Sequence, residues 1–207
     1  MTLTTHHLWQ LRKRNQMINC DALETLCVTL FPCDETLVWL NTYTIPCLPN
    51  YNWARVQVHD GKYAKDIVTP KTRILIPVFH QLHYSLLDVN MGTGTIRHHD
   101  SLGHSGHLNT SESEQWYEMA KNMVQVFREK NGRNNQPEMQ VVEPYPHLWT
   151  QGKDKHVGTN TCLIHVFHYM NTIVQHEHPT PLRDNEANTT TRTEMYEILM
   201  SPIEPEM

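Results

Sequence analysis

Three consecutive β-strand candidates constrain the fold more than any other part of this 207-residue sequence. They are "TRILIPVF" (72–79), "HYSLLDVN" (83–90) and "TIRHHDS" (95–101), all rich in β-branched and apolar residues. Met91-Gly92-Thr93-Gly94 is a turn sequence between the second and the third. These two strands should therefore form an antiparallel hairpin.

Amphipathic helices are predicted on both sides of the strand region. "NCDALETLCVTLF" has one apolar face at helical spacing, formed by Leu23, Leu26, Cys27 and Leu30. "SESEQWYEMAKNMVQVFREK" begins with a capping box and then places Trp116, Met119, Met123 and Phe127 on one face. "TLVWLNTYTIP" and "MQVVEPY" are short strand candidates, and "TEMYEILM" is a short amphipathic segment near the end.

A cysteine lies at the start of another predicted helix, in "HVGTNTCLIHVFHYM". From Cys162 onward the apolar residues fall on one side of a helical wheel, and the polar residues from His165 to Gln175 fall mostly on the other. A free cysteine often packs as a small hydrophobic residue, which is our interpretation of Cys27. A helix N-terminus, however, stabilises the thiolate, which is the form that attacks carbonyl groups. Cys162 fits both interpretations.

A cysteine nucleophile needs a base, a group that orients the base, and hydrogen-bond donors for the oxyanion. His83 begins one strand of the hairpin and Asp100 is near the end of its antiparallel partner, so both side chains should lie at the same end of the sheet. The carboxylate can then accept a hydrogen bond from one imidazole nitrogen and leave the other facing a thiol. The spacing alone does not separate this arrangement from a chance pairing of His and Asp.

Composition excludes several classes of protein. The formal charge of -5 gives no basic surface for nucleic acid or phosphate groups. The start, "MTLTTHHLWQLRKRNQ", lacks the features of a secretory signal, and no apolar run has the length of a membrane span. The five cysteines form no CxxC motif and fit neither a disulfide framework nor a zinc knuckle. We expect one monomeric domain in a reducing compartment, cytoplasm or nucleus, with no nucleic-acid or membrane partner.

The sequence has fifteen histidines, several of them in pairs such as His98 and His99 or His165 and His168. A zinc site needs three or four ligands that converge from at least two segments, and pairs alone do not provide them. We therefore interpret the histidines as solvated surface residues. No metal and no other cofactor is expected.

The block "IPVFHQLHYSLLDVNMGTGTIRHHDSLG" resembles the central block of the Ulp-type SUMO and ubiquitin-like protein peptidases, cysteine peptidases of clan CE. That block contains I-P-I, then H-W-S-L with an apolar run ending in Asp, a turn, and a strand ending in D-S-L. The matching positions here are Ile76-Pro77-Val78, His83-Tyr84-Ser85-Leu86, Asp88 and Asp100-Ser101-Leu102. In the family a loop of the form Q-x-x-x-x-D-C-G then opens the central helix, and "HVGTNTC" occupies its place. The resemblance runs from about residue 19 to residue 200, and only the block from His83 to Asp100 is specific.

The resemblance implies a papain-like α+β domain over residues 19–200, with an N-terminal extension (1–18) and a flexible tail (201–207). Its central, mostly antiparallel sheet would be packed between helices, with the nucleophile at the N-terminus of the central helix. The implied activity is hydrolysis of the bond after the C-terminal glycines of a ubiquitin-like modifier, whether SUMO, ubiquitin or a relative. Cys162 would be the nucleophile, His83 the general base and then acid, and Asp100 the orienting carboxylate.

The sequence departs from the family pattern around the nucleophile. His156 stands where the family has the glutamine that donates to the oxyanion, and Gln151 lies further upstream. Thr161 and Leu163 replace the residues that flank the family's cysteine, and Tyr84 replaces the tryptophan that lines its glycine tunnel. Two alternatives therefore stay open. One is an inactive Ulp-like binding module. The other is a clan CE acetyltransferase, which would need a basic pocket for the CoA phosphates, and Lys153 and Lys155 near the nucleophile give this only weak support.

Overall fold

A computed structural model describes residues 5–12, 18, 20–31, 33–41, 52–58, 60–80, 83–101, 110–132, 137–142, 161–176, 182 and 187–200. In chain order the elements are α1 (Thr5–Arg12), α2 (Cys20–Leu30), β1 (Leu37–Trp39), a 3-10 turn (Trp53–Arg55), α3 (Ala64–Ile67), β2 (Arg73–His80), β3 (His83–Asn90), β4 (Thr95–His99), α4 (Thr110–Lys130), β5 (Gln140–Val141), α5 (Cys162–His176), a π-helical turn (Ala187–Thr191) and α6 (Arg192–Met200). No helix within these ranges is long and apolar enough to cross a bilayer.

The strands form one five-stranded sheet in the order β1-β2-β3-β4-β5. The predicted hairpin is confirmed: β3 and β4 are antiparallel, and Leu86 lies opposite His99 in their register. Gly94 closes the turn with φ of 68°, a left-handed conformation that glycine adopts without steric cost. β2 also pairs antiparallel with β3, whereas the short outer strands β1 and β5 pair in parallel with β2 and β4. The sheet is therefore antiparallel at its centre and parallel at its edges.

Strand alternation sends apolar side chains into two cores, one on each face of the sheet. Leu75 and Leu86 pack on one face in a cluster with residues of α2, α5 and α6. Ile74 and Leu87 point to the opposite face, where Met123 and Phe127 of α4 cover them. Helices thus enclose the sheet from both sides, which confirms the predicted α+β class.

The helix α5 is buried on more sides than the helical wheel indicates. His165 and Thr172, which were predicted on its polar side, are only 0% and 5% exposed, whereas Val174 from its apolar side is 42% exposed. The reason is tertiary: α5 packs between β3 and α2, so neighbouring elements cover both of its sides.

The interpretation of the paired histidines as solvated is wrong for three of them. His98, His99 and His165 are all buried. His98 and His99 alternate along β4, and because helices cover both faces of the sheet, each of the two points into a core.

The helix α1 packs against α6 at the end of the described chain. Leu11 and Ile18 belong to the same buried cluster as the residues of α5. The guanidinium of Arg192 donates a hydrogen bond of 2.8 Å to the carbonyl oxygen of Gln10. The boundaries between the extension, the domain and the tail stay a prediction, and residues 201–207 lie outside the described part of the chain.

Candidate active site

Cys162 is the first residue of α5, as the sequence predicts. Its backbone N–H is one of the four N–H groups at a helix N-terminus that have no partner within the helix. The residue is 1% exposed, and Thr161 before it is fully buried. The thiol is therefore held at the N-terminal, positive end of the α5 dipole.

His83 and Asp100 meet at one end of the central hairpin. His83 is the first residue of β3, and Asp100 directly follows the last residue of β4. Antiparallel pairing brings these two strand ends together, and Nε2 of His83 lies 2.7 Å from Oδ1 of Asp100. The side chains are 13% and 9% exposed, so the pair is largely shielded from water. This is the short distance typical of a charge-assisted hydrogen bond.

The Cys162 thiol lies close enough to the His83 imidazole to raise its pKa together with Asp100. Since Nε2 is engaged by Asp100, Nδ1 is the nitrogen left to face the sulfur. Burial alone would lower the pKa of His83, but hydrogen bonds and charges from Asp100 and Cys162 outweigh it and raise that pKa to about 9. The imidazolium form is thus favoured at neutral pH. The structure brings the three predicted residues together.

Tyr84 lies next to His83 and is 7% exposed. Its ring centroid is 4.5 Å from that of Phe79, the residue directly opposite on β2, with the rings inclined by 34°. Tyr84 also belongs to the buried cluster that contains Cys162. Two aromatic rings therefore stand beside the candidate site.

Several predicted positions lie outside the described residues. They are His156, Gln151, Lys153 and Lys155. The role of His156 as an oxyanion donor stays a prediction. Among the residues that are described, no group of three or more His, Cys, Asp or Glu side chains is arranged to hold a metal ion.

The sequence motifs did not reveal a buried polar network within the sheet. Arg73 donates from Nε and Nη2 to the two carboxylate oxygens of Asp88, both at 2.7 Å, and His99 Nε2 lies 3.5 Å from the same carboxylate. Burial would raise the pKa of Asp88, but Arg73 and His99 hold it well below its usual range. The available signal was a carboxylate inside the apolar run "SLLDVN", since a buried charge requires a partner.

The central hairpin contains a second histidine pair, formed by His98 of β4 and Ser85 of β3. His98 Nε2 and Ser85 Oγ are 2.7 Å apart, and both residues are buried. The His98 ring also meets Tyr117 of α4 edge to face, at 6.3 Å between centroids. This contact joins β4 to α4.

No protein-family model matches the sequence, and no curated protein matches it. Solved structures do match. The C-terminal Ulp1 protease domain, solved in complex with Smt3, the yeast ortholog of SUMO, is 15% identical with a TM-score of 0.65, covering 98% of this chain and 85% of that one. The chain has the fold of the Ulp1-type SUMO proteases.

Two further structures agree with this fold. A de-sumoylating protease is 11% identical with a TM-score of 0.62, covering 98% of this chain and 88% of that one. The catalytic domain of the Ulp1-like SUMO protease of Chaetomium thermophilum is 15% identical with a TM-score of 0.58, covering 91% and 74%. The resemblance drawn from the block between Ile76 and Leu102 is thereby confirmed at the level of the fold.

Proposed function

We propose that this protein is a thiol peptidase that cleaves after the C-terminal glycines of a ubiquitin-like modifier. One observation carries the proposal: Cys162 begins α5 beside His83, whose other nitrogen is bound to Asp100 at 2.7 Å. A nucleophile, its base and an orienting carboxylate in this order are the parts that covalent acyl transfer requires. The chain also has the fold of the Ulp1 protease domain. A peptidase is therefore the function that these observations support best.

In the acylation step the Cys162 thiolate attacks the carbonyl carbon of the scissile bond. The carbonyl π electrons move onto oxygen and give a tetrahedral oxyanion, to which the backbone N–H of Cys162 can donate. His83, as imidazolium, gives its proton to the leaving amine as the C–N bond breaks. The products are a thioester on Cys162, a free amine and a neutral imidazole.

Deacylation reverses these roles. The neutral His83 takes one proton from water, whose oxygen attacks the thioester carbonyl, and the C–S bond then breaks to release a carboxylic acid and the thiolate. The carboxylic acid then loses its proton to solvent. Asp100 keeps its hydrogen bond to Nε2 throughout, which holds the tautomer and stabilises the imidazolium. His156 is the side chain we propose as a further oxyanion donor.

The proposed substrate class rests on the structural relatives and on the aromatic pair. The matching Ulp1 domain was solved with the yeast ortholog of SUMO bound. Tyr84, supported by Phe79, stands beside His83 and would line a channel for the substrate chain. A channel bounded by fixed aromatic rings favours acyl residues without side chains, which is the chemistry of a diglycine terminus.

The free thiols support a reducing environment. Cys20, Cys27, Cys33 and Cys162 are all free among the described residues, and a thiol nucleophile is active only when reduced. We therefore propose a monomeric intracellular enzyme, in cytoplasm or nucleus, that acts on modifier precursors or conjugates.

A labelling experiment tests the function. Full-length protein is incubated with ubiquitin and SUMO probes that carry a C-terminal electrophile, alongside Cys162→Ala and Cys27→Ala variants. We expect a covalent adduct with at least one probe in the wild type and in Cys27→Ala, and none in Cys162→Ala. Saturable binding without an adduct would instead identify an inactive binding module. Transfer of acetyl groups from acetyl-CoA through Cys162 would identify the acetyltransferase.

A further inference from the structure

A third side chain, that of His99, lies beside the buried ion pair of Arg73 and Asp88. Both carboxylate oxygens of Asp88 accept from Arg73 at 2.7 Å, which fixes the plane of the carboxylate. His99 Nε2 lies 3.5 Å from Oδ2, and neither the Asp88 nor the His99 side chain is exposed to solvent. His99 therefore faces an anion whose position two other hydrogen bonds define.

His99 also connects the two halves of the candidate active site. It is the last residue of β4, directly before Asp100, and it pairs with Leu86 on β3. Its ring lies 5.7 Å from the ring of Tyr169, on the helix that begins at Cys162. One side chain thus contacts the carboxylate network within the sheet and the helix that carries the nucleophile.

We propose that His99, anchored by the Arg73 and Asp88 ion pair, is a positioning residue for the site formed by His83, Asp100 and Cys162. The inference rests on the proposed function. The anchor fixes the end of β4, from which Asp100 extends towards His83, and the ring contact fixes that end relative to α5. A misplacement of about 1 Å among reacting groups can cost about 10²-fold in rate, so such an anchor has catalytic consequences.

The charged and titratable groups around His99 come from several elements. Asp88 faces it from β3 and Arg73 from β2, while Arg97 of β4 lies opposite Asp88 in the register. Tyr169 packs on it from α5, and His165 of the same helix lies 6.0 Å from Tyr169. His99 is not part of the bidentate bond between Arg73 and Asp88, so a substitution of His99 removes neither partner of that bond.

The test compares His99→Phe, which keeps an aromatic ring but removes the group that faces Asp88, with His99→Gln, whose amide N–H can donate to it. For each variant, kcat and KM are measured on a modifier substrate. The His83 ring is also titrated by NMR in the absence of substrate. Its signal is identified as the one that disappears in His83→Gln. We expect His99→Phe to lower kcat by about tenfold or more, with KM within about twofold, and to move the His83 titration to lower pH. His99→Gln should restore most of the lost kcat and most of the change in the His83 titration.

A control separates positioning from loss of stability. Phe127→Leu lies in the core on the other face of the sheet, and it should lower Tm while leaving the His83 titration unchanged. If His99→Phe does not fold, His99→Leu replaces it, since its side chain has no hydrogen-bonding group. If the wild type is active but kcat and the His83 titration are unchanged in the His99 variants, the inference about His99 is overturned and the proposed function is not. A wild type without peptidase activity would overturn the proposed function, whereas the titrations would still decide whether His99 positions His83.

Discussion

The carboxylate of Asp100 lies 2.7 Å from Nε2 of His83, and this contact sets the protonation state of the candidate site. Burial opposes the imidazolium, but Asp100 and the Cys162 thiol favour it strongly enough to raise the pKa of His83 to about 9. An imidazolium beside the Cys162 sulfur has the proton that a leaving amine needs. The pH dependence of activity should report this pair.

We expect kcat/KM to fall above about pH 9, because His83 then loses the proton that it gives to the leaving amine. In Asp100→Ala the pKa of His83 loses its main raising contribution, so the alkaline limb should move to lower pH. The raised pKa also stabilises the folded state at pH values below about 6.5, and this contribution is lost as the pH rises through about 9. Hydrolysis rates measured from pH 5 to 10 test the prediction, and an alkaline limb that stays in place in Asp100→Ala would contradict it.

Two buried cysteines should respond differently to substitution by alanine. Cys162→Ala removes the proposed nucleophile and should abolish turnover while the fold stays nearly intact. Cys27 is 1% exposed and contacts the sulfur of Met170 at 3.9 Å, and burial raises the pKa of its thiol, so it is an inert packing residue. Cys27→Ala should cost about 1–2 kcal/mol of unfolding free energy and leave activity unchanged. Denaturant unfolding and hydrolysis assays on both variants make the comparison. If both variants lose stability equally and both retain activity, the assignment of Cys162 as the nucleophile is refuted.

The hairpin and the helix α5 were predictable because each is determined by residues that are close together in the sequence. The turn at Gly94 and the strand patterns around it define the hairpin, and the apolar run after Cys162 defines α5. Burial of His99 and His165 was not predicted, because it depends on which faces distant elements cover. The partner of Asp88 was missed for the same reason: Arg73 lies on another strand, and only the register of β2 and β3 brings the two together.

The ion pair between Arg73 and Asp88 should matter for stability well beyond an ordinary surface pair. Arg73→Met leaves the Asp88 carboxylate buried without its main cation, and breaking a buried pair in this way costs about 3–5 kcal/mol. Lys121→Met is the matched control, because Lys121 pairs with the exposed Glu118, and such pairs contribute less than about 1 kcal/mol. Urea unfolding of both variants measures the difference, and similar losses in the two would rule out a strong contribution from the buried pair.

Acid should weaken the fold through Asp88. Its pKa is held below the value of 3.8 for an unperturbed carboxyl, so its contribution to stability is present above about pH 4 and is lost as the pH falls towards the folded-state value. In Asp88→Asn the group no longer titrates, and the slope of unfolding free energy against pH between about pH 4 and 2 should become shallower. Chemical unfolding at a series of pH values tests this, with Asp34→Asn as an exposed comparison whose carboxylate is also hydrogen-bonded. An unchanged slope in Asp88→Asn would place the acid sensitivity elsewhere.

His156 provides the sharpest test of the oxyanion site, because it stands where the resembling family has glutamine. A side-chain donor aimed at charge that develops only in the transition state typically contributes about 10²–10³ in rate. We expect His156→Ala to lower kcat by this factor with little change in KM, and His156→Gln to recover part of the loss by supplying an amide donor. His178→Ala, a change at another histidine of the sequence, serves as the control for loss of a histidine side chain. Rates for His156→Ala within about twofold of wild type would leave the backbone amide of Cys162 or the side chain of Gln151 as the donor.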